Sequence, residues 1–212
     1  MSDNRKNYNV KVYSLAGVYL RTLAPSVVMS GVSFTSQING GQGEARMQLA
    51  LPFNTTLIAY NNIIKVFETD DNNQTARQIY TGIVGSLRRS NDKGAEYIEV
   101  RAIGLGSMLS WDYYDAAGSY SFSKSLDSSA ILMDIVDRFS VKYPGLVSYT
   151  NGVTVETSGA VANITFLYDK HLAAINKAAV NTEYFWTIDG SGRLQYHPRL
   201  GGIGVIQHNF DM

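Results

Sequence analysis

Residues 79–103 read IYTGIVGSLRRSNDKGAEYIEVRAI. Ile79 to Leu87 and Tyr97 to Ile103 are rich in β-branched and aromatic residues, and Asn91-Asp92-Lys93-Gly94 between them is turn chemistry, so the stretch predicts a β-hairpin. Gly82 and Gly85 inside the first strand predict a bulge or sharp bend. Upstream the same grammar repeats. Tyr8, Val10 and Val12 alternate with polar neighbours, then Ala16-Gly17 turns the chain into Val18 and Leu20. Val32, Phe34 and Ile38 keep a period of two, as do Ala45, Met47, Leu49 and Leu51, with the glycine-rich turn Asn39 to Gly43 between the runs. Pro52 closes that strand. A polar link, Asn54 to Asn62, precedes Ile63-Ile64-Lys65-Val66-Phe67 and the turn Asp70-Asp71-Asn72-Asn73. Six to eight strands without a helical stretch predict a closed or nearly closed antiparallel β-barrel over residues 1–110.

After Trp111 the pattern changes. Leu126-Asp127-Ser128-Ser129 offers helix caps, and Ile131, Ile135 and Phe139 share one helical face up to Tyr143-Pro144-Gly145. Val153 with Val155, and Ile164 with Phe166, read as short strands. Asp169 is positioned to cap a second helix carrying Leu172, Ile175 and Ala179. Tyr184 to Ile188, Asp189-Gly190-Ser191-Gly192 and Arg193 to Tyr196 form a last hairpin. Residues 111–200 are therefore expected as a small α+β domain with two helices. Residues 201–212 read as a linker or the start of a further strand that returns to the barrel or opens another domain.

Composition narrows the chemistry. The 212 residues are 45% hydrophobic and 17% charged with zero formal net charge, so the chain carries a core and a charge-poor surface. The absence of cysteine removes disulfides, thiolate metal sites and cysteine nucleophiles. Neutrality disfavours a dedicated nucleic-acid binder. No apolar run approaches the roughly 20 residues of a membrane span, and the polar N-terminus has no apolar signal core, so synthesis in a cytosol-like compartment is expected.

The search for reactive groups yields little. His171, His197 and His208 sit apart with no ligand spacing, so no metal is expected. Gly104-Leu105-Gly106-Ser107 begins like a dinucleotide fingerprint but lacks the third glycine and the βαβ context, and reads as an exit turn of the barrel. Asp189-Gly190-Ser191-Gly192 begins like a calcium loop without its later ligands. Arg88-Arg89 reads as a solvated rim. The cluster Trp111-Asp112-Tyr113-Tyr114-Asp115 has two readings besides a junction or interface. Asp112 and Asp115 are candidate carboxylates of a glycan hydrolase. Trp111, Tyr113, Tyr114 or Trp186 are candidate stacking platforms of a carbohydrate-binding module. Catalytic residues and cofactors are expected to be none. Interface candidates are Asp70, Asp71, Asn72, Trp111, Tyr113 and Tyr114.

The order of segments is more telling than any of them singly. Val32 to Ile38, Asn39 to Ala45, Met47 to Leu51, Ile63 to Phe67, Ile79 to Val84 and Tyr97 to Gly104, followed by a helix and the aromatic hairpin Glu183 to Leu194, resemble phage tail hub proteins. These are baseplate hubs and the N-terminal modules of tail-associated lysins, and the resemblance covers about residues 28 to 200. It implies a tail-tube-like barrel and an α+β hub domain in a non-enzymatic virion protein, made in the host bacterial cytoplasm and located at the tail tip. It also implies a homotrimer, or a hexamer, that closes the tail tube, lets DNA pass through its lumen, and attaches distal spike, fibre or lysin proteins. The chain stops where a second barrel would begin in that family. Fourteen tyrosines suit such interfaces, because a tyrosine buries area while keeping a polar tip.

Overall fold

The computed structural model describes residues 6–24, 26–37, 40–50, 58–70, 73–92, 95–180 and 182–199. Asp71, Asn72, Lys93, Gly94, His208, residues 54–57 of the polar link and the terminal 201–212 lie outside them.

Seven strands form one antiparallel sheet: β1 (Lys6–Tyr13), β2 (Tyr19–Leu23), β3 (Val28–Gln37), β4 (Gly41–Ala50), β5 (Ile63–Asp70), β6 (Asn73–Asp92) and β7 (Ala95–Gly104). Their order across the sheet is β2-β1-β5-β6-β7-β4-β3. The expected hairpin is present, with Ser90 opposite Tyr97 and Ile83 opposite Ile103. The β6 strand is 20 residues long and turns a corner, pairing with β5 along its first half and with β7 along its second. Three irregularities interrupt its ladders, one of them near its start, where Glu68 faces Arg77 and Asp70 faces Asn73. The ladder to β7 shifts between Val84 and Ser86, where Gly85 is the extra residue, and the ladder to β5 skips Ile79. The buried Gln42 side chain repairs the one at Ile79, donating to the Ile79 carbonyl at 2.7 Å and accepting from the Thr81 N–H at 2.9 Å.

The sheet coils strongly around its inner face. The Tyr80 hydroxyl on β6 lies 2.9 Å from the Ala102 carbonyl on β7 and 3.1 Å from the Gly43 carbonyl on β4. The Phe34 ring on β3 packs 5.1 Å from Tyr80. Val10, Val12, Met47, Leu49, Val66, Val84 and Val100 fill the resulting core. The closed cylinder expected from the sequence is not formed among the described residues: β2 and β3 are the two edges, and no ladder joins them. Bulges curl a sheet, but closure also requires the last strand to meet the first in register, which strand patterns do not encode.

The second half carries the short α1 (Leu105–Met108), then β8 (Ser121–Asp127), α2 (Ser128–Lys142), β9 (Val161–Leu167), α3 (His171–Ala179), β10 (Tyr184–Ile188) and β11 (Leu194–Pro198). Asp127 caps α2 as expected, accepting from the Ser129 N–H at 2.8 Å. Three expectations are corrected. A third helix, α1, occupies the stretch read as an exit turn. The N-cap of α3 is Lys170 without a side-chain bond, because Asp169 turns away to pair with Lys177 at 2.6 Å. Val153 is an exposed turn residue, and the strand that pairs with β9 is β8, whose serine-rich sequence hides it.

A second core of Ile131, Ile135, Phe139, Phe166, Ile175, Trp186 and Tyr196 holds this half together, and it also takes in Ile63 and Ile83 from the sheet. Close backbone contact adds to these side chains in closing the seam. At Gly106 a Cβ would collide with the Gly40 carbonyl, and within the sheet a Cβ at Gly104, the end of β7, would collide with the Gln42 and Gly43 carbonyls of the neighbouring β4. The hairpin tip Gly190 rests on the backbone of Gln78 and Ile79, and its carbonyl accepts from Gln78 Nε2 and Thr81 Oγ1, both at 2.7 Å.

Candidate functional site

The segment after α1 lies across the start of α3. Trp111 N–H donates to the Met108 carbonyl at 2.9 Å, Leu172 N–H to Leu109 at 2.9 Å, and Tyr114 N–H to Asp169 at 2.8 Å. The chain here alternates faces, so neighbouring aromatics part company. Trp111 and Tyr113 remain 44% and 41% exposed, while Tyr114 is wholly buried. Tyr114 is therefore corrected from an interface residue to a core residue. Its ring packs edge-on to Phe122 and Phe166, and its hydroxyl donates to Asp134. Burial, and next that bond, push the phenol well above its usual range. Trp186 is buried as well, with its indole N–H on Asn176 Oδ1 at 3.0 Å, so neither ring offers a stacking face to a sugar.

Beneath this segment runs a polar network. Asp134 on α2 accepts from Tyr114, from Lys124 Nζ at 2.5 Å and from Arg138 Nε at 2.9 Å. Burial works against this carboxylate, but the three donors outweigh it and hold the carboxyl below its usual range. Asp112 and Asp115 share one cation, Lys142, at 2.8 and 3.9 Å. The hydrogen bond from Lys142 holds the Asp112 carboxyl below its usual range, whereas a glycosidase general acid needs its pKa raised. The pair is built as an ionic clasp between the 111–115 segment and the end of α2.

The other candidates resolve in the same sense. His171 is wholly buried, with Nδ1 3.0 Å from the Asp112 carbonyl and Nε2 without a partner; burial lowers its pKa. His197 pairs with Glu156 at 2.6 Å. Among the described residues no group of three metal-ligating side chains gathers. The Asp189 carboxylate is consumed by its own turn, accepting from the N–H groups of Ser191 and Arg193 at 2.8 and 3.0 Å and from Gln195 Nε2 at 2.8 Å. Arg89 is exposed and pairs with Glu96 at 2.7 Å. Asp70 ends β5 opposite Asn73.

Two open clefts flank Trp111 and Tyr113. One, of about 500 Å³, runs between Trp111, Leu15 of the β1–β2 turn, Asn61 and Pro144 beyond α2. The other, of about 410 Å³, lies between Tyr113, Tyr168 and the first turns of α3. Tyr168 and its neighbour Tyr120 form part of the same exposed aromatic group and were not singled out from the sequence. Each sits alone among serines or at a strand end, and only the β8–β9 pairing brings them together.

The architecture, a coiled antiparallel sheet carrying an α+β half, is similar to that of solved phage tail proteins. The tail protein from Neisseria meningitidis MC58 superposes with a TM-score of 0.60 at 14% identity, over 90% of this chain and 50% of that one. A prophage tail protein from Listeria monocytogenes EGD-e gives 0.59 at 12% identity, over 90% and 51%. The tail protein of prophage MuSo2 from Shewanella oneidensis gives 0.58 at 13% identity, over 91% and 56%. The chain thus spans about half the length of the solved structures it matches, and the likeness is one of fold. No protein-family profile and no curated protein matches the sequence.

Proposed function

We propose that the chain is a structural, non-enzymatic component of a phage tail, serving as a hub module at the tail tip that assembles as a ring of three or six copies. The observation that carries this reading is the shared fold over nine-tenths of the chain with three tail proteins. The sheet supports it, because among the described residues β2 and β3 are its edges, and a sheet edge is a template for another strand. Beside the β2 edge, Leu15, Val18, Tyr19 and Leu20 are all exposed, an apolar group suited to burial between subunits. Residues 1–110 and 111–200 act as two domains, the first with a core inside the sheet and the second with a core that also takes in Ile63, Ile83 and Leu105.

In this role the ring closes the tail tube, passes DNA through its lumen and carries distal spike, fibre or lysin proteins. Asp70, Asp71, Asn72 and the exposed Trp111 meet neighbouring subunits or rings. Among the described residues no helix is long and apolar enough to cross a membrane. Light scattering on the purified protein across a concentration series tests the ring. Discrete trimers or hexamers are expected, weakened by Leu20→Lys on the β2 edge. A monomer at every concentration overturns the assembly.

A further inference from the structure

Tyr168 is an anomaly that packing alone does not explain. It is a non-glycine residue with φ of +52°, in the left-handed region that tyrosine adopts only against a steric penalty, yet its ring is 68% exposed. The surroundings enforce the conformation. Tyr168 N–H donates to the Tyr120 carbonyl at 2.8 Å, and Asp169 Oδ2 accepts from the Leu167 N–H at 3.0 Å while held by Lys177. The result is a ring braced on one face by Tyr120, with centroids 5.8 Å apart and nearly parallel planes, and open on the other. Tyr120 also braces Tyr113 edge-on at 6.0 Å, so one ring fixes both aromatic walls of the cleft.

Polar groups with spare capacity line the same cleft. Lys170 Nζ lies 6.0 Å over the Tyr113 ring and meets no carboxylate among the described residues. Asn176 spends its Oδ1 on Trp186, leaving its amide nitrogen to donate. Ser110 spends its hydroxyl proton on the Ser107 carbonyl at 2.6 Å, leaving its oxygen to accept.

We propose that this cleft is a binding site for a pyranoside sugar, stacked on the open face of Tyr168 with its hydroxyls on Lys170, Asn176 and Ser110. A pyranose has one face of C–H groups, whose partial positive charge suits the electron-rich face of an aromatic ring. Its rim of hydroxyls both donates and accepts, matching the mixed polar groups. The cleft is open, about 410 Å³, and lined by two rings with polar groups between them, a size suited to one or two sugar rings. The assignment holds whether or not the chain is a tail component.

Saturation-transfer NMR with methyl pyranosides and N-acetylglucosamine disaccharide, at millimolar concentration, tests it on the whole chain. Transfer concentrated on the C–H protons of one sugar face is expected. Tyr168→Asn is the decisive variant, because asparagine tolerates positive φ and removes the ring. It is expected to weaken binding by about tenfold or more while leaving Tm unchanged or raised. Tyr113→Leu, which removes the second wall without touching the strained backbone, is expected to weaken binding with the fold intact. Absence of transfer from every sugar overturns the proposal, as does undiminished binding by both variants. A change in oligomeric state on Tyr168→Asn without sugar binding overturns it in favour of a protein contact.

Discussion

Gly190→Ala tests whether the two halves are joined through bare backbone. A Cβ at position 190 would sit 2.5 Å from the Gln78 carbonyl oxygen and 2.6 Å from Ile79 Cα, and neither neighbour is a flexible side chain. The tip of the β10–β11 hairpin must therefore lift off β6 by most of an ångström. That movement stretches both 2.7 Å hydrogen bonds to the Gly190 carbonyl. Overpacking costs about 1–3 kcal/mol and the weakened bonds about 1 kcal/mol more, giving roughly 2–4 kcal/mol. With a urea m-value of about 2 kcal/mol/M, the unfolding midpoint falls by roughly 1–2 M. Two controls separate the causes. Thr81→Val removes two hydrogen bonds, the one to the Gly190 carbonyl and the one accepted from Gln78 Nε2, without the clash, and costs about 1–2 kcal/mol. Gly118→Ala has nothing within 4 Å but a φ of +85°, so it carries only the backbone penalty, about 1 kcal/mol. A Gly190→Ala midpoint within about 0.3 M of the parent, or no different from that of Gly118→Ala, refutes the close-packed seam.

Two further outcomes follow from the α+β half. Asp127→Ala removes the cap that accepts from Ser129 N–H, and about 1 kcal/mol of stability is lost with α2 still formed, as read by urea titration and circular dichroism. His171 is kept neutral by burial, with its folded pKa below the unfolded value of about 6.5. As pH falls below about 6.5 the unfolded chain takes up a proton that the folded chain refuses, so stability present above that pH is lost as the solution is acidified. The charged groups around the ring are Asp112, Asp115 and Lys142. His171→Phe, which keeps the ring contacts with Tyr114 and Phe139, flattens the fall of the urea midpoint between about pH 7 and 5. An unchanged slope assigns the pH dependence elsewhere.

Much of the fold is legible in local pattern because local pattern is what builds it. Val10 and Val12, or Met47 and Leu49, alternate because a strand buries alternate residues, and they line the core of the sheet as expected. The bulge at Gly85 and the cap at Asp127 are likewise set within a few residues of themselves. The β8 strand escaped because its outward face is Ser121, Ser123 and Ser125, held by cross-strand pairs such as Ser123 with Thr165 rather than by apolar burial.

The candidate site was legible only in part. Trp111 and Tyr113 are exposed as a surface reading requires, but Tyr114, one residue on, is turned inward, a separation that the alternation of an extended segment implies. That Asp112 and Asp115 share Lys142 depends on where α2 ends in space. The sequence by itself determined the periods, the turns and the lack of a thiol. Tertiary structure alone decided that no ladder joins β2 to β3 among the described residues, that Gly104, Gly106 and Gly190 serve close chain contact, and that Tyr113, Tyr120 and Tyr168 converge on one cleft. The physical reason is separation along the chain: strand and helix periods arise between near neighbours, whereas closure, seams and clefts depend on residues brought together only once the whole chain has packed.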